Sequence, residues 1–328
     1  MSRVLSGIQP TGEIHLGNFL GAVRNWVDDQ HEQDAYFCVV DLHALTIPRD
    51  PAELRSKTLE TTLILVAAGL DPEVCTLFVQ SHVHEHAELT WILEGVAGMG
   101  ELGRMTQFKE KAKDGVESAR VSLFTYPVLQ AADILLYDAE RVPVGEDQRQ
   151  HLELCRDIAM RFNRRYGDTF VVPEAALPKV GARIMDLQKP TAKMSKSAES
   201  PQGTVLVLDD PDVIVRKFKR AVTDAGTDVV FDPATRPGVS NLLQILAAAA
   251  GGDPAELATG YTQYGPLKAD AAEAVVELLR PVRERYGELQ SDPEAIRAML
   301  SRGASKAESI ATVTLARARH AIGLLPRT

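Results

Sequence analysis

Three groups of residues in this chain have the types and spacing to do chemistry. The first is Gly7-Ile8-Gln9-Pro10-Thr11-Gly12-Glu13-Ile14-His15-Leu16-Gly17-Asn18. Gly17 lets the backbone approach a ligand closely, and His15 and Asn18 carry donors for phosphate or ribose oxygens. A helix beginning at Asn18 would add free N–H groups and a positive dipole end. The spacing is neither Gly-x-Gly-x-x-Gly nor a Walker loop. Taken alone, the segment fits a phosphate cradle and an ordinary glycine-rich turn equally well.

The second group is Lys193-Met194-Ser195-Lys196-Ser197, preceded by Pro190 and Thr191. Two ammonium groups on a Ser-rich turn could neutralise the charge that grows on a leaving pyrophosphate, and a mobile turn could close only on the correct complex. A solvated surface loop has the same composition. The third group lies between Tyr126 and Tyr137. On a helix, Tyr126, Gln130, Asp133 and Tyr137 share one face. A carboxylate in so apolar a helix either reaches water at its edge or has a dedicated partner. His82, His84 and His86 alternate and would share a face on a strand, as a metal site requires. They follow a strand instead and are read as a surface turn, so no metal site is expected.

The elements that must position these groups follow from hydrophobic spacing. Strands are expected at Arg3–Gln9, Tyr36–Val40 and Thr76–Val79. Helices are expected from Asn18 (Phe19, Leu20, Val23, Trp26, Val27) and from the Asp50-Pro51 cap to Gly69. This alternation predicts an α/β fold, a doubly wound parallel sheet whose ligands sit at the strands' carboxyl ends. Pro127 is expected to start a helix running to Tyr137, and Val142-Pro143-Val144 to be extended. Gly145-Glu146-Asp147-Gln148 should open the next helix. After residue 186 a strand is expected at Thr204–Leu208. Helices follow from Asp210-Pro211 and over roughly 240–250, 268–286, 293–302 and 304–321. The expected units are 1–186 (α/β), 187–292 (helical) and 293–328 (C-terminal helices).

Composition limits the function. The chain has 328 residues, 45% of them hydrophobic, enough for a sizeable core. No apolar run approaches the length of a bilayer span, so no membrane partner is expected. Three scattered cysteines, Cys38, Cys75 and Cys155, with no Cys-x-x-Cys, fit a reducing cytoplasm. No signal or transit segment is expected at the N-terminus. The net charge of −9 does not suggest DNA binding; any nucleic acid would have to meet local basic patches.

The first two groups together form the paired motifs of the class I aminoacyl-tRNA synthetases, and over nearly its whole length the chain resembles the bacterial tryptophanyl members. Gly7–Gly12, Val40-Asp41-Leu42-His43-Ala44-Leu45-Thr46, Met105-Thr106-Gln107-Phe108-Lys109-Glu110-Lys111, Tyr126–Tyr137 and Val142–Gln148 carry the resemblance. Lys179-Val180-Gly181-Ala182-Arg183-Ile184-Met185 and Lys193–Ser197 complete it, all in the family's order. The resemblance implies a Rossmann-like catalytic domain with a helical anticodon-binding domain. It implies that Gln9, Pro10, Thr11, Gly17 and Asn18 contact ATP. Gly145, Glu146 and Asp147 would hold the ribose and Ile184 would lie against the adenine. Lys193, Met194, Ser195, Lys196 and Ser197 would form the pyrophosphate loop, with His15 and Gln9 assisting catalysis. Asp133 would accept the indole N–H of L-tryptophan, because an indole is a donor only. Tyr126 and Gln148 would hold the ammonium, and His43, Val142 and Val144 would wall the pocket. Mg2+ would ride on the ATP phosphates. tRNA(Trp) would bridge the two subunits of a homodimer. Candidate basic contacts are Arg104, Lys109, Lys111 and Lys113, then Arg280, Arg283, Arg285, Arg297, Arg302, Lys306, Arg317 and Arg319.

Two positions depart from the family. Leu5 stands where Phe often packs on the indole, and Gln130 where Met is common. Three alternatives remain. A tyrosyl-tRNA synthetase usually has Gly-Ser-Asp-Gln where Gly145-Glu146-Asp147-Gln148 stands. A small-molecule adenylyltransferase would not require the helical region. A synthetase-like paralogue would bind tryptophan in an auxiliary or regulatory role.

Overall fold

The computed structural model describes residues 2–111, 119–143, 145, 148–176, 183–195, 200–226 and 228–326. Five parallel strands form one sheet in the order β3-β2-β1-β4-β5. They are β1 (Arg3–Ile8), β2 (Asp34–Val39), β3 (Thr76–Val79), β4 (Arg141–Pro143) and β5 (Glu174–Ala176). Alternation along β2 divides the core into two layers. Ala35, Phe37 and Val39 face one layer; Tyr36 and Cys38 face the other. Helices cover both faces, as the sequence rhythm predicts.

The principal helices are α1 (Leu16–Asn18), α2 (Pro51–Ala67), α3 (Glu85–Glu94), α4 (Val121–Leu136) and α5 (Arg149–Tyr166). After residue 200 come α6 (Pro211–Lys219), α7 (Pro237–Ala250), α8 (Tyr264–Gln290) and α9 (Pro293–Ala321). The Asp50 carboxylate accepts from the N–H groups of Ala52 and Glu53 at 2.9 Å, and Pro51 fills the first turn, where its missing N–H costs nothing. Gly69 ends this stretch at φ +115°, a conformation that favours glycine. The core continues from the sheet into the later helices, joining Ile14, Leu16 and Phe37 to Val205, Val207, Phe218, Val239 and Leu242. α8 packs on α2, and α9 returns to pack on β3 and α3.

Four local expectations are corrected. Pro127 lies inside α4, which begins at Val121, so the helix forgoes one backbone bond rather than starting there. Thr204–Leu208 joins no sheet. Its first part pairs with the first motif instead, and 207–208 turn: Leu16 N–H donates to Val205 O at 2.8 Å and Val207 N–H to Ile14 O at 2.9 Å. Residues 293–302 and 304–321 form one helix. Gly303 does not break it; a Cβ there would lie 1.9 Å from the Leu77 carbonyl oxygen, so glycine lets α9 cross β3 closely. The first helix begins at Leu16 rather than Asn18, and its cap is His15. The edge strand β5 was not anticipated.

Candidate functional site

β1 is the centre of the sheet. The chain places β2 and β3 on one side of it and β4 and β5 on the other. Such a reversal leaves a crevice outside the carboxyl ends of the two strands that flank it, where α/β sheets bind ligands. β1 ends at Ile8 and β4 at Pro143. Gln9, just past β1, and Gly145, just past β4, therefore lie where the chain leaves the sheet at the same crevice. Val144, Glu146 and Asp147 fall outside the described residues; Gly145 is exposed and Gln148 half-buried.

On the β1 side, Gln9 is exposed, Pro10 buried and Thr11 half-buried. The His15 ring is buried at the helix start, where Nδ1 accepts from Asn18 N–H at 3.2 Å. The Asn18 side chain returns the contact, with Oδ1 3.5 Å from His15 N. Gly17 leaves little space for a side chain. A Cβ there would lie 3.1 Å from the His15 ring and 3.5 Å from the Met194 Cβ. The two motifs, far apart in sequence, thus touch each other.

The described part of the second motif is anchored on both sides. Met194 N–H donates to Ile184 O at 3.1 Å and Asp186 N–H to Ala192 O at 2.9 Å. Ile184 and Met194 are buried, Ser195 is half-buried and Lys193 is exposed. The Asn241 amide clamps the backbone of Met185 at both its N–H and its carbonyl, each at 2.9 Å. Thr204 Oγ1 donates to Ser195 O at 2.9 Å, and the buried Lys217 ammonium donates to Thr204 O at 2.7 Å. Lys196 and Ser197 lie outside the described residues. Residues 184–195 are thus held at several backbone points.

The third group lies in the layer on the other side of β1. Asp133 is 4% exposed and does not reach water. Its Oδ1 accepts from Gln80 Nε2 at 2.7 Å and from His86 Nδ1 at 2.6 Å; its Oδ2 accepts from His43 Nε2 at 2.9 Å. Burial pushes this carboxyl up, but the hydrogen bonds from His43 and His86 outweigh burial and hold it well below the usual carboxylate range. Tyr126 meets His43 edge-on at 6.3 Å between ring centroids, and its hydroxyl lies 2.6 Å from His151 Nε2. Burial pushes the Tyr126 phenol up to about 12, so it stays protonated at neutral pH. Leu5, Tyr126 and Val142 are buried in one apolar cluster beside these groups. Gln130 is half-buried on α4. The structure therefore brings together His43, Tyr126 and Asp133, with Leu5 and Val142 in the same apolar layer as Tyr126.

Two further polar residues of this layer, Gln80 and His151, carry no signal in the sequence. The surface-turn reading holds for His82 and His84, which are exposed, and fails for His86, which is fully buried. A short 3-10 turn, Gln80–His82, precedes α3 and rotates His86 inward. Of the candidate basic contacts, Lys113 lies outside the described residues, and six of the others are ion-paired: Arg280 with Glu277, Arg285 with Glu288, Arg297 with Glu294, Arg302 with Glu73, Arg317 with Asp138 and Arg319 with Glu88.

A family model described as tRNA synthetases class I (W and Y) matches residues 1–280. Tryptophan--tRNA ligase 1 of Streptomyces coelicolor is 59% identical over 330 residues, covering 99% of this chain and 98% of its own. The Tryptophan--tRNA ligase of Caldanaerobacter subterraneus subsp. tengcongensis is 52% identical over 329 residues, covering all of both chains. Among solved structures, tryptophanyl-tRNA synthetase from Campylobacter jejuni, complexed with ADP and tryptophan, superposes with a TM-score of 0.86 at 34% identity, covering 98% of this chain and 100% of that one.

Proposed function

The chain belongs to the class I tRNA synthetases (W and Y), and we propose that within this family it is a tryptophan–tRNA ligase. It activates L-tryptophan with ATP to tryptophanyl-adenylate and diphosphate, then transfers the tryptophanyl group to the 3′ end of tRNA(Trp). The observation that carries this reading is the buried Asp133 carboxylate, held by His43 and Gln80 just past the carboxyl ends of β2 and β3, on a chain at least half identical to full-length relatives bearing that name. The tyrosyl alternative has structural neighbours at 21–23% identity, which speak only for the fold.

The tryptophan carboxylate attacks the α-phosphate in line. No residue forms a covalent bond to substrate; catalysis is positioning and charge stabilisation. Gln9, Pro10, Thr11, Gly17, Asn18 and Gly145–Asp147 would hold the nucleotide across the crevice, with Ile184 against the adenine. His15 would act from the helix start, and Lys193–Ser197 would close on the pyrophosphate. Among the described residues, the proposed nucleotide contacts supply amide, hydroxyl, imidazole and ammonium groups but no carboxylate cage. That donor set fits a Mg2+ carried by phosphate oxygens and water, which would withdraw charge from the phosphates. Tyr126 and Gln148 would hold the ammonium, with Leu5, His43, Gln130, Val142 and Val144 around the ring. The helices of 187–292 would read the anticodon in a cytoplasmic homodimer, with 293–328 bracing them against the sheet.

Tryptophan-dependent ATP–pyrophosphate exchange followed by charging of tRNA tests the reading. Both should proceed with tryptophan and not with tyrosine. Exchange without charging would favour the auxiliary alternative. Lys196→Ala should lower kcat for exchange; an unchanged kcat would remove the clamp role.

A further inference from the structure

Asp133 is held by a buried relay whose remaining members lie beyond the pocket. A carboxylate offers about four lone-pair directions, two per oxygen. Gln80 and His86 occupy both on Oδ1, and His43 occupies one on Oδ2. One acceptor direction therefore remains, on the oxygen that His43 touches.

The donors are themselves fixed. Gln80 Oε1 accepts from Leu42 N–H at 3.1 Å, so the amide's NH2 end must face Asp133. His86 Nε2 lies 2.8 Å from the hydroxyl of Tyr137, which is fully buried and out of reach of water. Burial pushes the Tyr137 phenol well up, so it remains a donor. A phenol donating to Nε2 places the ring proton on Nδ1, the nitrogen that faces Asp133. The chain Tyr137–His86–Asp133 thus has one consistent proton arrangement, and it presents a charged acceptor in one direction.

We propose that His86 and Tyr137 are positioning residues that determine specificity: through Asp133 they make the pocket demand a ring N–H donor, without touching the substrate. This rests on the reading of Asp133 as the indole acceptor. The site then discriminates by hydrogen-bond chemistry more than by shape, because a bound ring without a donor leaves a buried charge partly unpaired.

The test compares tryptophan with benzothienylalanine, an isostere in which sulfur replaces the ring N–H, as substrates for ATP–pyrophosphate exchange by the full-length protein. Tyr137→Phe removes only the hydroxyl and releases the His86 tautomer; His86→Phe removes both bonds but keeps the bulk. Wild-type protein should prefer tryptophan by about 100-fold or more in kcat/KM. Tyr137→Phe should narrow that preference about tenfold, chiefly through KM for tryptophan, with KM for ATP and the benzothienylalanine rate unchanged. His86→Phe should narrow it further; if it does not fold, Tyr137→Phe alone decides. A folded Tyr137→Phe protein with undiminished preference overturns this inference and leaves the role of Asp133 standing. A wild-type protein with no preference overturns both.

Discussion

Gly17 faces Met194: a Cβ added to the glycine would lie 3.5 Å from the Met194 Cβ, at ordinary contact distance. This contact joins the loop after the first strand to the Lys-rich loop. One substitution at the contact should therefore disturb both.

Gly17→Ala is expected to act on the nucleotide and not on tryptophan. Its φ lies outside the left-handed region, so backbone strain is not the cause. The new methyl would stand 3.1 Å from the His15 ring, which is itself held by Asn18 N–H. Overpacking of this kind costs about 1–3 kcal/mol. Exchange kinetics should show KM for ATP raised about tenfold with KM for tryptophan unchanged. Equal change in both would mean that the contact has no specific part in holding ATP.

Asp133→Asn should weaken both fold and binding. An amide presents its NH2 group either to Gln80 and His86 together or to His43, each of them a donor. Loss of a paired buried charge should lower stability by about 3 kcal/mol in denaturant titration, and raise KM for tryptophan at least 100-fold.

The same carboxyl predicts a pH dependence. Its folded pKa is depressed, so its stabilising contribution is complete above the unfolded value of about 4 and disappears as pH falls towards the lower folded value. The denaturation midpoint should hold steady in this respect from neutral pH to about 5 and decline below about 4. Asp133→Asn should flatten that acid limb. An acid limb identical in both proteins would show that other groups set it.

Gly303→Ala tests how α9 is seated. A methyl 1.9 Å from the Leu77 carbonyl oxygen cannot be relieved by rotating a side chain, because the obstacle is backbone. A loss of about 3 kcal/mol is expected, with faster proteolysis of the segment after residue 292. Unchanged thermal unfolding would mean that α9 shifts freely over β3.

The sequence made some of this legible. Asp133 stood out as a charge inside an apolar helix, and the parallel sheet followed from alternating strands and helices. His86 is read with His82 and His84 as a surface turn because all three follow a strand, but the 3-10 turn before α3 places it inward. Gln80 looked like an ordinary strand end; nothing local marks its amide as a donor to a residue 53 positions away. The β5 strand has three residues, too few to show a pattern. At Gly303 the helical pattern was interrupted by a residue whose purpose is a tertiary contact.

The most direct measurement is a crystal structure of the protein with tryptophan and a non-hydrolysable ATP analogue. Both ligands are expected beyond the carboxyl ends of the strands, with the indole nitrogen about 3 Å from Asp133 Oδ2. Tryptophan bound away from residue 133, or a side chain at 133 turned to bulk solvent, would contradict this reading.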